Sequence, residues 1–192
     1  MNICVFCASS ETIEDLYLKS GESFGEMLAE NGHTLVFGAG RFGIMGAVAR
    51  GLRRKGGNAV GVIPSFFNMS EVAFSDCELV YTDTMRERKQ IMEDRSDAFV
   101  IMPGGIGTFE EFFEILTLKQ LRRHTKPIII YNVNGYYDAL IDLMENAISK
   151  DFMSKKCRNL YYVTDSADKV FDYLKDYKPF SYDKYGVSKE DE

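Results

Sequence analysis

Residues 102–115, MPGGIGTFEEFFEI, place Gly104, Gly105, Ile106, Gly107 and Thr108 between an apolar run, DAFVIM, and a segment with helical spacing. A strand that breaks into glycines and re-enters a helix presents free backbone N–H groups at the positive end of that helix. Such a turn is an anion site, most often for phosphate. Glu110 and Glu111 follow at once. A carboxylate beside a phosphate cradle repels the ligand the cradle attracts, and chemistry is one reason to keep it there. Helix capping is another. Thr108 and Glu111 match the pattern in which a threonine N-cap and a glutamate three residues on satisfy each other's backbone donors. On these residues alone the two explanations of Glu111 weigh evenly, and Glu110 is the solvated alternative.

A second charged cluster, Arg86, Arg88 and Lys89 in MRERKQIM, sits at the start of another helical segment. Such a run usually marks a solvated face. Cations at a helix N-terminus nevertheless oppose the macrodipole, at about 0.3–1 kcal/mol each on an exposed end. Unfavourable local placement is expected where function overrides local preference. An arginine there can grip a phosphate or carboxylate with a bidentate fork.

Ser9 and Ser10 end the first apolar run. Ser10 or Thr12 reads as a helix cap, with a hydroxyl contact to a ligand phosphate or ribose as the second explanation. GAGRFGIMG, residues 38–46, carries GxGxxG at Gly38, Gly40 and Gly43. A dinucleotide site would have this motif after the first strand and an acidic residue ending the next one. Here the motif follows the second strand, and NAVGVIP ends on apolar residues. The expectation is a nucleotide-facing turn without dinucleotide specificity, set against a tight turn that only packs helix on strand. The methionines of IMG, IMED and FVIMP fit core spacing and carry no chemistry in this reading. Cys4 and Cys7 form a CxxC, but residues three apart on a strand point to opposite faces, so they read as buried small hydrophobes. His33 and His124 cluster with no carboxylates and read as surface or capping residues, and no required metal or cofactor is expected.

The elements that must position these residues follow from the apolar pattern. Candidate strands are 2–7, 33–38, 58–63, 78–82, 97–102, 127–131 and 160–164, and candidate helices are 12–31, 43–56, 84–95, 108–123, 137–150 and 166–177. The boundaries at 64–80 and 151–165 are the least marked. Runs such as HTLVFG, DAFVIM and KPIIIY are apolar on both faces, as in a parallel sheet covered on both sides. The alternation points to a single α/β domain, doubly wound and Rossmann-like, over residues 1–178, with a polar tail at 179–192. In such a sheet every strand-to-helix turn falls on the carboxyl edge, where ligands bind. The serines, both glycine loops, the arginine cluster and the glutamate pair therefore gather in one place.

Composition narrows the partners. The chain of 192 residues is 45% hydrophobic with a net charge of −6, which suits a globular protein and argues against a nucleic-acid polyanion. No run of 18 apolar residues suggests a membrane span, and the N-terminus lacks the basic start of a signal peptide. The cytosol is the expected location.

Taken together, VFCASS, GIMGAVA, GVIP, MRERKQIM, PGGIGTFEE and NVNGYYDALIDLMENAISKDF resemble the lonely-guy (LOG) family of cytokinin-activating phosphoribohydrolases, many once labelled lysine decarboxylases. The resemblance covers nearly the whole chain. It implies hydrolysis of the N-glycosidic bond of adenine-type nucleoside 5′-monophosphates, such as AMP or cytokinin riboside 5′-monophosphates, to free base and ribose 5-phosphate. It also implies a homodimer. The family's catalytic arginine falls on Arg88 and its catalytic glutamate on Glu111. Lys89, Gly104, Gly105, Ile106, Gly107, Thr108 and Thr117 fall on substrate-lining positions, and Glu71 on a further contact. The family's usual GGG is Gly38-Ala39-Gly40 here, and Phe74, Ile106 and Arg50 also depart from it. Three readings compete: a non-catalytic nucleotide sensor or carrier, which needs no Arg88–Glu111 combination; a pyridoxal-dependent decarboxylase, for which Lys89 and Lys119 offer no recognisable context; and a NAD-linked oxidoreductase, weakened by the missing acidic residue.

Overall fold

In the computed structural model, which describes residues 1–67, 69–180 and 182, alternate residues of the first strand enter different cores. Ile3, Val5 and Cys7 pack on one side of the sheet and Cys4 and Phe6 on the other. Both sides are closed, which is why the strands read as unbroken apolar runs and why the two cysteines of the CxxC never face each other. Burial holds both thiols far above their usual pKa.

The strands are β1 (Asn2–Phe6), β2 (Thr34–Phe37), β3 (Ala59–Pro64), β4 (Glu78–Thr82), β5 (Ala98–Ile101), β6 (Ile128–Tyr131) and β7 (Tyr162–Thr164). They form one parallel sheet in the order β4-β3-β2-β1-β5-β6-β7. All of the expected strands are present, with ends shifted by a residue or two. The helices are α1 (Asp15–Glu30), α2 (Gly43–Arg54), α3 (Met69–Val72), α4 (Met85–Asp94), α5 (Ile106–Gln120), α6 (Asp138–Ser149) and α7 (Ala167–Asp176). The short α3 and the 3-10 turns Val133–Gly135 and Lys155–Leu160 lie in segments too brief for a period to show. Winding outward from β1 to β4, then back beside β1 and outward to β7, puts the change of direction between β1 and β5. A crevice opens at the carboxyl ends of those two strands.

Two capping expectations change. The α1 helix begins at Asp15 with Glu14 as an N-cap that makes no side-chain bond. Ser10 Oγ instead lies 3.1 Å from Thr12 Oγ1, closing its own local turn. The α5 helix begins at Ile106 with Gly105 as N-cap, so Thr108 is inside the first turn and does not cap it. The threonine–glutamate cap belongs to α4, where Thr84 Oγ1 accepts from Glu87 N–H at 3.1 Å and Glu87 accepts from Asp83 N–H at 2.8 Å.

His124 is not a surface residue. It is buried, with Nε2 2.9 Å from Ile115 O and Nδ1 accepting from Lys126 N–H at 3.2 Å, so it ties the end of α5 to β6. Burial pulls its pKa down to about 4. Of the expected tail, residues 181 and 183–192 lie outside the described residues. Tyr182 is buried, with its carbonyl accepting from Arg122 Nε–H at 2.6 Å. No helix among the described residues is long and apolar enough to cross a membrane.

Candidate active site

At the crevice, Ala8 N–H donates to Pro103 O at 2.9 Å, stitching the loop after β1 to the loop after β5. Met45 N–H donates to Ala8 O at 3.0 Å and joins the start of α2 to them. The loop after β2 is pinned in turn by the end of α3 and the segment after it, through Arg41 N–H to Val72 O at 3.0 Å and Phe74 N–H to Ala39 O at 2.7 Å. These loops enclose a cavity of about 240 Å³. Its wall is largely apolar, from Phe42, Met45, Ile63, Pro64, Phe67, Val72 and Met85, with Ser9, Gly38, Gly40 and Arg88 supplying the polar edge.

Arg88 is fixed on every side. It is 7% exposed, its Nε donates to Val62 O at 3.1 Å, and its Nη1 donates to Glu111 Oε1 at 3.1 Å. The Thr84 cap sets the start of α4, one turn before Arg88. Gly38 makes room: a Cβ there would fall 1.9 Å from Arg88 Nη2. A side chain at position 38 would displace the guanidinium.

Glu111 projects from α5 on the stripe that also carries Thr108, Phe112 and Ile115. Its carboxylate bonds Arg88 and no helix-start amide, which removes capping as its explanation. Burial raises its pKa, and the Arg88 charge and hydrogen bond work against that rise. A desolvated carboxylate held beside a cation is costly to keep. Replacing such pairs with apolar residues is often neutral or stabilising, whereas removing one partner costs about 3–5 kcal/mol. Perturbed buried pairs at the edge of a cavity are a feature of functional sites.

The 104–108 loop flanks the same crevice. Gly104 is there for close approach, since a Cβ would meet Thr108 Oγ1 at 2.1 Å and Ala8 N at 3.0 Å. Around Gly105 and Gly107, by contrast, the space is open. The first turn of α5 has N–H groups that no intrahelical carbonyl can satisfy, and it carries the positive end of the helix dipole.

Of the residues expected in the site, Ser9, Gly40 and Arg88 line the cavity, Glu111 meets it through Arg88, and Gly104, Gly105, Ile106, Gly107 and Thr108 make up the loop and first helical turn that the Ala8–Pro103 bond ties beside it. Three residues lie elsewhere. Lys89 pairs with Glu110, and with Glu114 at 2.7 Å, in a groove between α4 and α5 that also reaches Glu111. Thr117 is exposed on α5 and lines neither hollow, and Glu71 is exposed on α3 beside Val72. Met45 is the reverse case. Expected only as core, it lines the cavity and its sulfur accepts from Gly40 N–H at 3.1 Å, because a side chain in the first helical turn points back over the preceding loop. Phe67 and Met85 were not anticipated either, since Phe67 lies in a turn and Met85 is the first residue of α4, where a single apolar residue gives no periodic signal. Within GAGRFGIMG the glycines divide between the cavity and helix packing. Gly38 and Gly40 face the cavity, while Gly43, at φ +59°, packs on the backbone of residues 8–10.

The lysines do not fit a pyridoxal site. Lys89 is committed to two glutamates, and Lys119 is buried with its Nζ 5.2 Å from the centre of the Tyr177 ring, away from the cavity. Burial lowers the Lys119 pKa to about 8.

Residues 45–174 match the family described as "Possible lysine decarboxylase". A cytokinin riboside 5′-monophosphate phosphoribohydrolase of Mycobacterium tuberculosis is 42% identical over 85% of this chain and 88% of its own length. One of Arabidopsis thaliana is 34% identical over 92% of this chain and 84% of its own. Among solved structures, a molybdenum cofactor binding protein of Rippkaea orientalis superposes with a TM-score of 0.68 at 22% identity, over 91% of this chain and 94% of that one. That likeness shows the fold.

Proposed function

The chain belongs to the lonely-guy (LOG) family of phosphoribohydrolases, also described as possible lysine decarboxylases, and on that premise we propose that it hydrolyses the N-glycosidic bond of adenosine 5′-monophosphates to free base and ribose 5-phosphate. The observation that carries this reading is the buried Arg88–Glu111 pair, 3.1 Å apart, at the edge of an apolar cavity. Cleaving a ribosyl bond builds positive charge at C1′, as in glycoside hydrolysis. A carboxylate with a raised pKa suits that step, as base for the attacking water or as transient nucleophile. Arg88 keeps Glu111 ionised and anchors the substrate. The 104–108 cradle holds the 5′-phosphate, so binding energy remote from the scissile bond fixes the geometry at C1′. Phe67, Met85 and Val72 offer the base, and any apolar substituent on it, a dry wall. Lys89, Thr117, Glu71 and a homodimer enter this reading on the resemblance alone.

The test is incubation of the protein with AMP and with isopentenyladenosine 5′-monophosphate, without added metal, with base and ribose 5-phosphate followed by chromatography. Release from either nucleotide, with the unphosphorylated nucleosides left intact, is the expected result. Binding without cleavage would replace the enzyme with a nucleotide sensor.

A further inference from the structure

The stretch Asn134-Gly135-Tyr136-Tyr137-Asp138, after β6, has no part in the chemistry above, yet it reaches back to the cradle. Tyr137 Oη donates to Met102 O at 2.7 Å, and Tyr136 Oη donates to Gly104 O at 2.8 Å. Between them Ala8 N–H takes Pro103 O at 2.9 Å. Successive carbonyls of the loop are thus each held from behind. The described chain has no cis peptide bond, and in a trans peptide the N–H points opposite to the C=O. Fixing Gly104 O on Tyr136 therefore turns Gly105 N–H the other way. The space around Gly105 is open.

The two tyrosines are themselves anchored. Tyr137 N–H donates to Asn132 Oδ1 at 2.7 Å, and Asn132 Nδ2 donates to Asp138 Oδ1 at 2.7 Å. Tyr136 packs edge-on against Tyr137 at 5.0 Å and against Tyr17 at 5.8 Å between ring centres. Tyr137 is 1% exposed and belongs to the core, whereas Tyr136 is 41% exposed, so its hydroxyl can be removed without opening a cavity.

We propose that Tyr136 is a positioning residue for the phosphate cradle: by holding the Gly104 carbonyl it aims Gly105 N–H at the 5′-phosphate before the ligand arrives. A donor aimed in advance adds affinity because its ordering is complete before binding. This inference rests on the assignment of the 104–108 loop to phosphate. Tyr136→Phe keeps both ring contacts and loses only the hydroxyl. KM for the nucleotide and the dissociation constant of inorganic phosphate, read by calorimetry, should both rise about 3–10-fold, the worth of one hydrogen bond. The value of kcat should stay within about twofold and the melting temperature unchanged. Unchanged phosphate affinity would overturn the proposal. So would a lower melting temperature with KM intact, which would make Tyr136 purely structural. A wild-type protein that binds phosphate more tightly than the variant but cleaves no nucleotide would sink the phosphoribohydrolase reading and leave Tyr136 in its role.

Discussion

Arg88–Glu111 and Lys89–Glu110 join the same two helices one residue apart, and physically they have little in common. The side chains of the first pair are 9% and 10% exposed, and those of the second 15% and 54%. One residue of rotation on a helix is about 100°, enough to turn one pair into the protein and the other towards water. The inner pair cannot be explained by stability, since charge is cheaper at the surface than in a core. The outer pair needs no further explanation than solvation and weak attraction. Sequence patterns such as RK and EE hold both, and only the phase of the helix says which member faces the site.

Removing Arg88 should have the largest effect on folding. Arg88→Ala strands the Glu111 carboxylate and should cost about 3–5 kcal/mol, whereas Lys89→Ala should cost at most about 1 kcal/mol. Chemical denaturation of both variants side by side measures this, and equal costs would erase the distinction between the pairs. Gly38→Ala acts on the same guanidinium without touching charge. Its Cβ would collide with Arg88 Nη2, and kcat/KM should fall at least about tenfold, as for other small misplacements of a catalytic group.

The pH dependence separates the pairs next. Glu111 works ionised, and its pKa is raised by burial, so the acid limb of kcat/KM should lie above the ordinary carboxylate value of 4.5. The sign for stability is opposite to that of a typical acid. The contribution of Glu111 is fully present below its unfolded pKa and is lost as pH rises through the raised folded value, and Glu111→Gln should abolish that dependence. The outer pair only tunes the limb. The Lys89 charge lowers the Glu111 pKa and the Glu110 charge raises it, so Lys89→Ala should move the limb up and Glu110→Gln should move it down. The smallest effect belongs to the cap: Thr84→Ala should lower stability by about 1 kcal/mol with little change in kcat, read by melting and steady-state rates.

Much of the fold was legible because strands covered on both faces leave continuous apolar runs, as in β2, β5 and β6, whereas β4 and β7 lie at the sheet edges, are only partly buried and were less sharply marked. Helix starts were less legible. Thr84-x-x-Glu87 and Thr108-x-x-Glu111 have the same pattern, but only the first is a cap, since Gly104 and Gly105 let α5 begin at Ile106. Glu111 could have been separated from Glu110 by phase, because it shares the stripe of Phe112 and Ile115. The commitment of Lys89 to Glu110 and Glu114, the exposure of Thr117 and the cavity wall of Phe67 and Met85 depend on contacts between distant segments, which spacing along one segment does not encode.

The most direct test compares the steady-state kcat of wild type, Glu111→Gln and Glu110→Gln on the preferred nucleotide, with calorimetric binding of that nucleotide as control. If the inner pair is the catalytic one, Glu111→Gln should lose about 10²–10⁴-fold in kcat while still binding, and Glu110→Gln should turn over near the wild-type rate. Near-normal turnover by Glu111→Gln, or equal losses in the two variants, would contradict it.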